Sequence, residues 1–222
     1  MMRGVPAPER RGAFAFPAYS ARERQADAIV HGAGIAAGLA GIAWLLATRA
    51  TGLPPAELAG LAAYAGSLCA MLMASAAYNL AGPGPRKETL RRFDHAAIYA
   101  LIAGTYTPFA AAGPAGGAPL WAVWAAALAG AVAKLAFPRR FERLSLALWL
   151  GMGWSILVLS WPLWASLPGG VVWLLGIGGG LYTLGSGVHL LESVAYHNAI
   201  WHALVLAAAA CHFAAVAMLH GT

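Results

Sequence analysis

The chain has 222 residues, of which 60% are hydrophobic and only 10% are charged, whereas a soluble domain carries about 25% charged residues. Its mean hydropathy is +0.67, and this composition excludes an ordinary water-soluble domain. The net charge is +6, but the basic residues form short clusters beside apolar segments, which favours anionic lipid headgroups over nucleic acid as partners. We therefore expect a membrane protein whose partners are membrane lipids, not nucleic acid.

Seven apolar runs follow one another along the chain, separated by charged residues, Pro and Gly. A helix of about 20 apolar residues spans the hydrocarbon core of a bilayer. The predicted spans are residues 28–48, 58–80, 93–113, 118–137, 144–164, 170–191 and 199–219. The sixth is rich in glycine, which favours close helix packing. We predict an all-α membrane protein with a seven-transmembrane helix bundle at residues 28–222. It follows a cytoplasmic basic tail at residues 1–27, with a short interfacial helix around residues 21–27.

The basic residues set the predicted orientation. Five lie in the tail, four at positions 86–92 and four at 134–143, while the alternate loops hold only Arg49. Lys and Arg are enriched in cytoplasmic loops, so we place the N-terminus in the cytoplasm and the C-terminus outside, in the cell (inner) membrane. Four tryptophans near the predicted outer helix ends are typical of an interfacial aromatic belt: Trp121, Trp161, Trp164 and Trp173.

The predicted topology brings polar residues from several helices to one depth on the cytoplasmic side. Ionisable groups within the bilayer are expensive and by default indicate a functional site. Structural roles remain open: Asp94 could pair only with neighbouring basic residues, and His202 could form a helix-bridging hydrogen bond. Asp27 and Glu192 are expected to be solvated charges at the membrane edge. The candidate residues are His31, Ser75, Asn79, Asp94, His197, Asn198 and His202.

Four motifs in order along the chain resemble the hemolysin III family. They are SAAYN, which begins at Ser75, FDHAAIYALIAGTYTPF at 93–109, GGGLYTLG at 178–185 and IWHALVLAAAACHF at 200–213. The family belongs with the progestin and adiponectin receptors and, more distantly, with the alkaline ceramidases. In the receptor branch, the resemblance implies zinc near the cytoplasmic face, held by one His at the end of the second helix and two on the seventh. Ser75, Asp94 and His202 match that site, with Asp94 orienting or activating a metal-bound water.

Two implied zinc ligands are absent, because Asn79 and Asn198 stand where the pattern has His, and an amide carbonyl is a poor zinc ligand. Two explanations stay open. Either the metal is lost and a hydrogen-bonded polar cluster remains, or His31, His197 and His202 rebuild a zinc site with Asp94. His197 would reach such a site only if the seventh helix begins after it or is distorted there.

Three functions follow from these alternatives. The first is a membrane protein without catalytic zinc, lipid-responsive or membrane-perturbing. The second is a zinc-dependent hydrolase of a lipid amide or ester that uses Asp94 and Ser75 as catalytic residues. The third, ion or solute transport, is less favoured because Asp94 is the only acidic residue clearly inside a span and no inverted repeat is visible.

Overall fold

The computed structural model describes residues 16–113, 118–137, 139–140, 142–159 and 166–219. These residues form seven α-helices, and no strand occurs among them. The predicted all-α, seven-helix membrane fold is confirmed. The helices are α1 (Ala21–Arg49), α2 (Pro55–Leu80), α3 (Pro85–Ala112), α4 (Ala118–Ala136), α5 (Glu142–Leu159), α6 (Gly169–His189) and α7 (His197–Leu219).

The first helix begins earlier than the predicted span, because its start is capped. The Ser20 hydroxyl accepts a hydrogen bond from the Glu23 amide at 3.3 Å, and the Glu23 carboxylate accepts one from the Ser20 amide at 2.8 Å. This reciprocal capping box satisfies two amides that a helix start leaves unpaired. Residues 21–27, assigned to the tail from the sequence, are therefore the first two turns of α1 and not a separate interfacial helix.

Within the described ranges, four helices are long and apolar enough to cross a membrane by length and composition: α1, α2, α6 and α7. Helices α4 and α5 contain shorter apolar segments, Leu120–Ala136 and Leu144–Ser155, and α3 carries Asp94 and His95 within its length. Of the predicted aromatic belt, Trp121 and Trp173 are 74% and 75% exposed, as membrane-facing side chains would be. Trp161 and Trp164 lie outside the described residues.

Helix α3 is central: it packs on α2 and α4 and touches α5 and α7, while α1 packs on α2 and α7 and α6 packs on α7. Close approaches depend on small residues. A Cβ added at Gly104 of α3 would lie 2.0 Å from the Ser67 hydroxyl of α2, and one at Gly178 of α6 would lie 2.4 Å from the His212 ring of α7. The close packing predicted for the glycine-rich sixth helix thus occurs at Gly178.

Candidate functional site

The first part of the candidate site joins α1 to α7. Asp27 and His31 lie four residues apart on α1, so both side chains project from one face. His202 of α7 meets them there, and each of the three residues is at most 7% exposed. One ligand atom from each lies within 4.8 Å of the other two, and the two imidazole centroids are 4.4 Å apart. We call Asp27, His31 and His202 the Asp–His triad.

The Asp27 carboxylate fixes the His202 ring. His202 Nδ1 lies 2.6 Å from Asp27 Oδ1, and because a carboxylate only accepts, the imidazole donates from Nδ1. In that neutral tautomer the other ring nitrogen, Nε2, is an acceptor. The carboxylate thereby fixes both the tautomer and the orientation of the His202 ring.

Asn79 and Asn198, which stand where the sequence pattern has His ligands, hydrogen-bond to each other and to the triad. Asn198 Nδ2 donates to Asp27 Oδ2 at 3.1 Å and to Asn79 Oδ1 at 3.4 Å. Asn79 Nδ2 donates to the Ser75 carbonyl at 3.0 Å and lies 3.4 Å from His202 Nε2. The two amide side chains thereby connect α1, α2 and α7 by hydrogen bonds and add no charge of their own.

His31 differs from its neighbours in hydrogen bonding. Its Nε2 is buried and has no hydrogen-bond partner among the described residues, and the nearest Asp27 oxygen is 3.6 Å away, which is too long for a hydrogen bond. A buried unpaired nitrogen is costly. Two imidazoles and one carboxylate form a ligand set that zinc accepts, so the triad fits a metal ion and an ion would give this nitrogen a partner.

Asp94 and Ser75 form a second part of the candidate site. Asp94 of α3 is buried, and the Ser75 hydroxyl of α2 is close enough to hydrogen-bond to its carboxylate. His202, His31 and Arg91 lie within electrostatic range of this carboxylate, but Asp94 is not among the residues whose ligand atoms cluster within 4.8 Å. Asp94 is thus a neighbour of the Asp–His triad and not a member of it.

His197, predicted from the sequence as a possible zinc ligand, does not join the triad. Helix α7 begins at His197 itself, so the ring points away from His202. Its Nδ1 lies 3.1 Å from the Val194 carbonyl, and its Nε2 lies 3.5 Å from the Tyr19 hydroxyl. In this structure His197 holds the segment before α1 against the start of α7.

Asp27 is the residue of this site that the sequence interpretation undervalued. It was expected to be a solvated charge at the membrane edge, but it is 6% exposed and contacts His202 and Asn198. The reason is the capped start of α1, which begins the helix at Ala21, so that Asp27 lies within the helix and not at its end. Its spacing of four from His31 was the available signal, because that spacing places both residues on one helix face.

An apolar cavity lies beside the candidate site. It has a volume of about 120 Å³, similar to the roughly 150 Å³ of an apolar cavity that binds a benzene-sized group. Ile98, one helical turn beyond Asp94, and Trp201, adjacent to His202, mark its near end, and Phe109 and His212 lie deeper. The cavity therefore has room for part of an apolar chain whose head lies near the polar groups.

The fold and the site define the class of this molecule: an all-α, multi-pass membrane protein with a buried Asp–His cluster near one end of the bundle. Comparison with known proteins identifies the family. The sequence model of the family described as Haemolysin-III related matches residues 20–213, and the chain belongs to that family.

Three relatives illustrate the range of the family. The chain is 34% identical over 198 residues to a hemolysin-3 homolog of Bacillus subtilis, covering 88% of this chain and 93% of that protein. It is 33% identical over 195 residues to hemolysin-3 of Bacillus cereus, with 86% and 89% covered. The human monocyte to macrophage differentiation factor is 26% identical over 169 residues, with 69% and 67% covered. No solved structure matches the chain.

Proposed function

We propose that this protein is a membrane-embedded, metal-dependent hydrolase of a lipid amide or ester, acting in the cell (inner) membrane. The observation that carries the proposal is the Asp–His triad, in which the buried His31 Nε2 lacks a hydrogen-bond partner among the described residues. The metal set proposed from the sequence is revised accordingly: Asp27 takes the place of His197 beside His31 and His202.

The chain's own residues divide the work between the two parts of the site. Asp27, His31 and His202 would hold zinc, which when bound lowers the pKa of water and polarises a carbonyl. Without an ion, Asp27 holds His202 through the 2.6 Å hydrogen bond from Nδ1, and zinc would take the place of that proton between the two side chains. The Asp94 carboxylate is the acceptor for a proton from the attacking water, and Ser75 positions that carboxylate by hydrogen bonding. Asn79 and Asn198 are positioning residues.

A lipid substrate is supported by the location of the apolar cavity. Its near end, at Ile98 and Trp201, adjoins the site, and its walls are almost wholly apolar, with Leu101 and Phe109 among them. An acyl chain in the cavity would bring its amide or ester carbonyl toward Asp94 and the triad. Apolar burial of the chain provides binding energy, while the polar groups set its orientation.

The test combines metal content with turnover. Protein purified without chelators is analysed for metal, then incubated in proteoliposomes with a panel of ceramides, N-acyl lipids and lysophospholipids, and the released fatty acid is measured by mass spectrometry. We expect about one zinc per chain, and we expect Asp94→Asn to keep the metal while losing at least about 100-fold in turnover, the usual contribution of a general base. A protein that binds zinc but hydrolyses no lipid in the panel would refute the hydrolase proposal.

A metal-free, lipid-responsive or membrane-perturbing protein is the second candidate, because the Asn79–Asn198 pair closes a hydrogen-bonded network without an ion. Under this alternative the purified protein contains no metal and tolerates His31→Ala. The variant Asn79→His with Asn198→His would then create zinc binding. His189→Ala is the matched control, since His189 packs on Trp201 at a ring-centroid distance of 5.4 Å, outside the triad.

A further inference from the structure

A second polar cluster lies on the other side of α3, where α3, α4 and α5 meet at the predicted cytoplasmic end. The His95 ring of α3 is 5.7 Å from the Trp149 ring of α5, and Lys134 of α4 is within electrostatic range of His95. The packing one turn deeper fixes this alignment: Tyr99, four residues after His95, packs against Gly130, four residues before Lys134. We call Lys134, His95 and Trp149 the α3–α5 cluster.

Each residue of the α3–α5 cluster has a buried nitrogen without a hydrogen-bond partner in the described part of the chain: Lys134 Nζ, His95 Nδ1 and Trp149 Nε1. Lys134 is only 2% exposed. The indole has the Tyr99 hydroxyl near it, but the ammonium can only donate, so the missing partner of Lys134 must be an acceptor. A buried ammonium without a counter-charge is costly, so an anion is the partner that the cluster lacks.

The carboxylates near the cluster do not supply that counter-charge. Glu142 of α5 forms an ion pair with Arg91, and Glu88 is paired with Arg139 at 2.7 Å. Glu142 also attracts Lys134 at longer range, but Arg91 repels it. The nearby groups thus leave Lys134 with a surplus of positive charge.

We propose that the α3–α5 cluster binds the phosphate group of an anionic phospholipid of the cytoplasmic leaflet, with Lys134 as its counter-charge. Basic pockets between transmembrane helices on the cytoplasmic side are typical sites for such headgroups. The lipid is favoured over free phosphate because apolar side chains next to the cluster are exposed: Phe93 at 53%, Leu144 at 55% and Leu148 at 46%. They offer a surface for the acyl chains of the same lipid.

This site is separate from the proposed hydrolytic site and does not require a metal. None of its three residues belongs to the Asp–His triad. A phospholipid held here lies against α4 and α5, whereas the proposed substrate occupies the cavity lined by α3, α5, α6 and α7, which the cluster meets at Trp149. Binding at the α3–α5 cluster can therefore be measured with or without turnover.

The test is native mass spectrometry of the full chain in detergent, with titration of phosphatidylglycerol, phosphatidylcholine and inorganic phosphate in separate arms. We expect phosphatidylglycerol to bind at least tenfold more tightly than phosphatidylcholine. Lys134→Gln should weaken phosphatidylglycerol binding by about 10- to 100-fold, the value of one charge-assisted hydrogen bond. Lys134→Arg should retain most of it. Arg86→Gln is the matched control, because it removes one exposed positive charge at the same predicted membrane face.

Several results would overturn the proposal. Equal binding of the two lipids by the unaltered chain would overturn it. Because this comparison needs no variant, the test remains possible if Lys134→Gln does not fold. An equal loss in Arg86→Gln would assign the preference to general surface charge. If inorganic phosphate binds and phosphatidylglycerol does not displace it, the ligand of the cluster is free phosphate and not a lipid. If phosphatidylglycerol does not raise the unfolding temperature of the unaltered chain above that in phosphatidylcholine, only water meets the lysine and the proposal is wrong.

Discussion

Asp27→Asn tests the Asp–His triad with little change in side-chain shape. Asp27 accepts hydrogen bonds from His202 Nδ1 at 2.6 Å and from Asn198 Nδ2 at 3.1 Å. Asparagine keeps one acceptor oxygen, but an NH₂ group replaces the other. That NH₂ group must face a donor, either His202 Nδ1 or Asn198 Nδ2. One of the two interhelical hydrogen bonds is therefore lost and the other becomes neutral.

The expected magnitude follows from these two bonds. Interhelical hydrogen bonds in membrane proteins contribute about 0.6 kcal/mol on average and about 1.7 kcal/mol at most. Disturbing two of them predicts a loss of about 1 to 3 kcal/mol in the free energy of unfolding. Metal affinity should fall by at least about 10- to 100-fold, because losing a carboxylate that only orients a ligating histidine already costs that much.

The assay is equilibrium unfolding in mixed micelles, followed by tryptophan fluorescence, together with metal analysis of the same samples. Glu192→Gln is the control, since Glu192 is an exposed carboxylate near the same end of the bundle, and we expect it to change stability by less than about 0.5 kcal/mol. If Asp27→Asn matches Glu192→Gln in both stability and metal content, the buried role assigned to Asp27 is refuted.

Three further predictions concern packing, capping and charge. Gly130→Ala should cost about 1–3 kcal/mol, because its Cβ would lie 2.3 Å from the ring of the buried Tyr99. Gly151→Ala, with open space at its Cβ, should not destabilise the protein in the same unfolding assay. Ser20→Ala should cost about 0.5–2 kcal/mol by removing the cap of α1, and no change in unfolding temperature would contradict the capping argument. Burial lowers the pKa of Lys87 from its ordinary value of 10.5, so the unfolded chain holds that proton more tightly and stability should rise with pH between the lowered pKa and 10.5. Lys87→Met should flatten this rise in a pH series of unfolding temperatures, and an unchanged slope would exclude Lys87 as its source.

The number and order of the helices could be predicted because each predicted span depends on a run of about 20 apolar residues, which has few alternatives in a bilayer. Helix starts were less predictable. The cap formed by Ser20 and Glu23 adds two turns to α1 using polar residues, which a search for apolar runs assigns to the tail. The same limit explains why Asp27 was interpreted as a membrane-edge charge.

The sequence predicted how deep in the membrane the residues of the candidate site lie, but not which side chains contact each other. Topology places His31 and His202 at one level, but side-chain contacts depend on how the helices are rotated. His197 and Asn198 show the difference, because adjacent residues on α7 point to different neighbours: Asn198 reaches Asp27, while His197 reaches Tyr19. The position of Lys134 beside His95 likewise depends on the packing of α3 on α4, which a single sequence does not specify.

The most direct test of the central claim is X-ray absorption at the zinc edge of the purified protein. The triad predicts about one zinc per chain, with two imidazole nitrogens and oxygen ligands at about 2.0–2.2 Å. It further predicts that His31→Ala reduces the imidazole contribution, while His189→Ala leaves the spectrum unchanged. Absence of zinc from the unaltered protein, or a spectrum that His31→Ala does not change, would contradict the assignment of a metal centre to Asp27, His31 and His202.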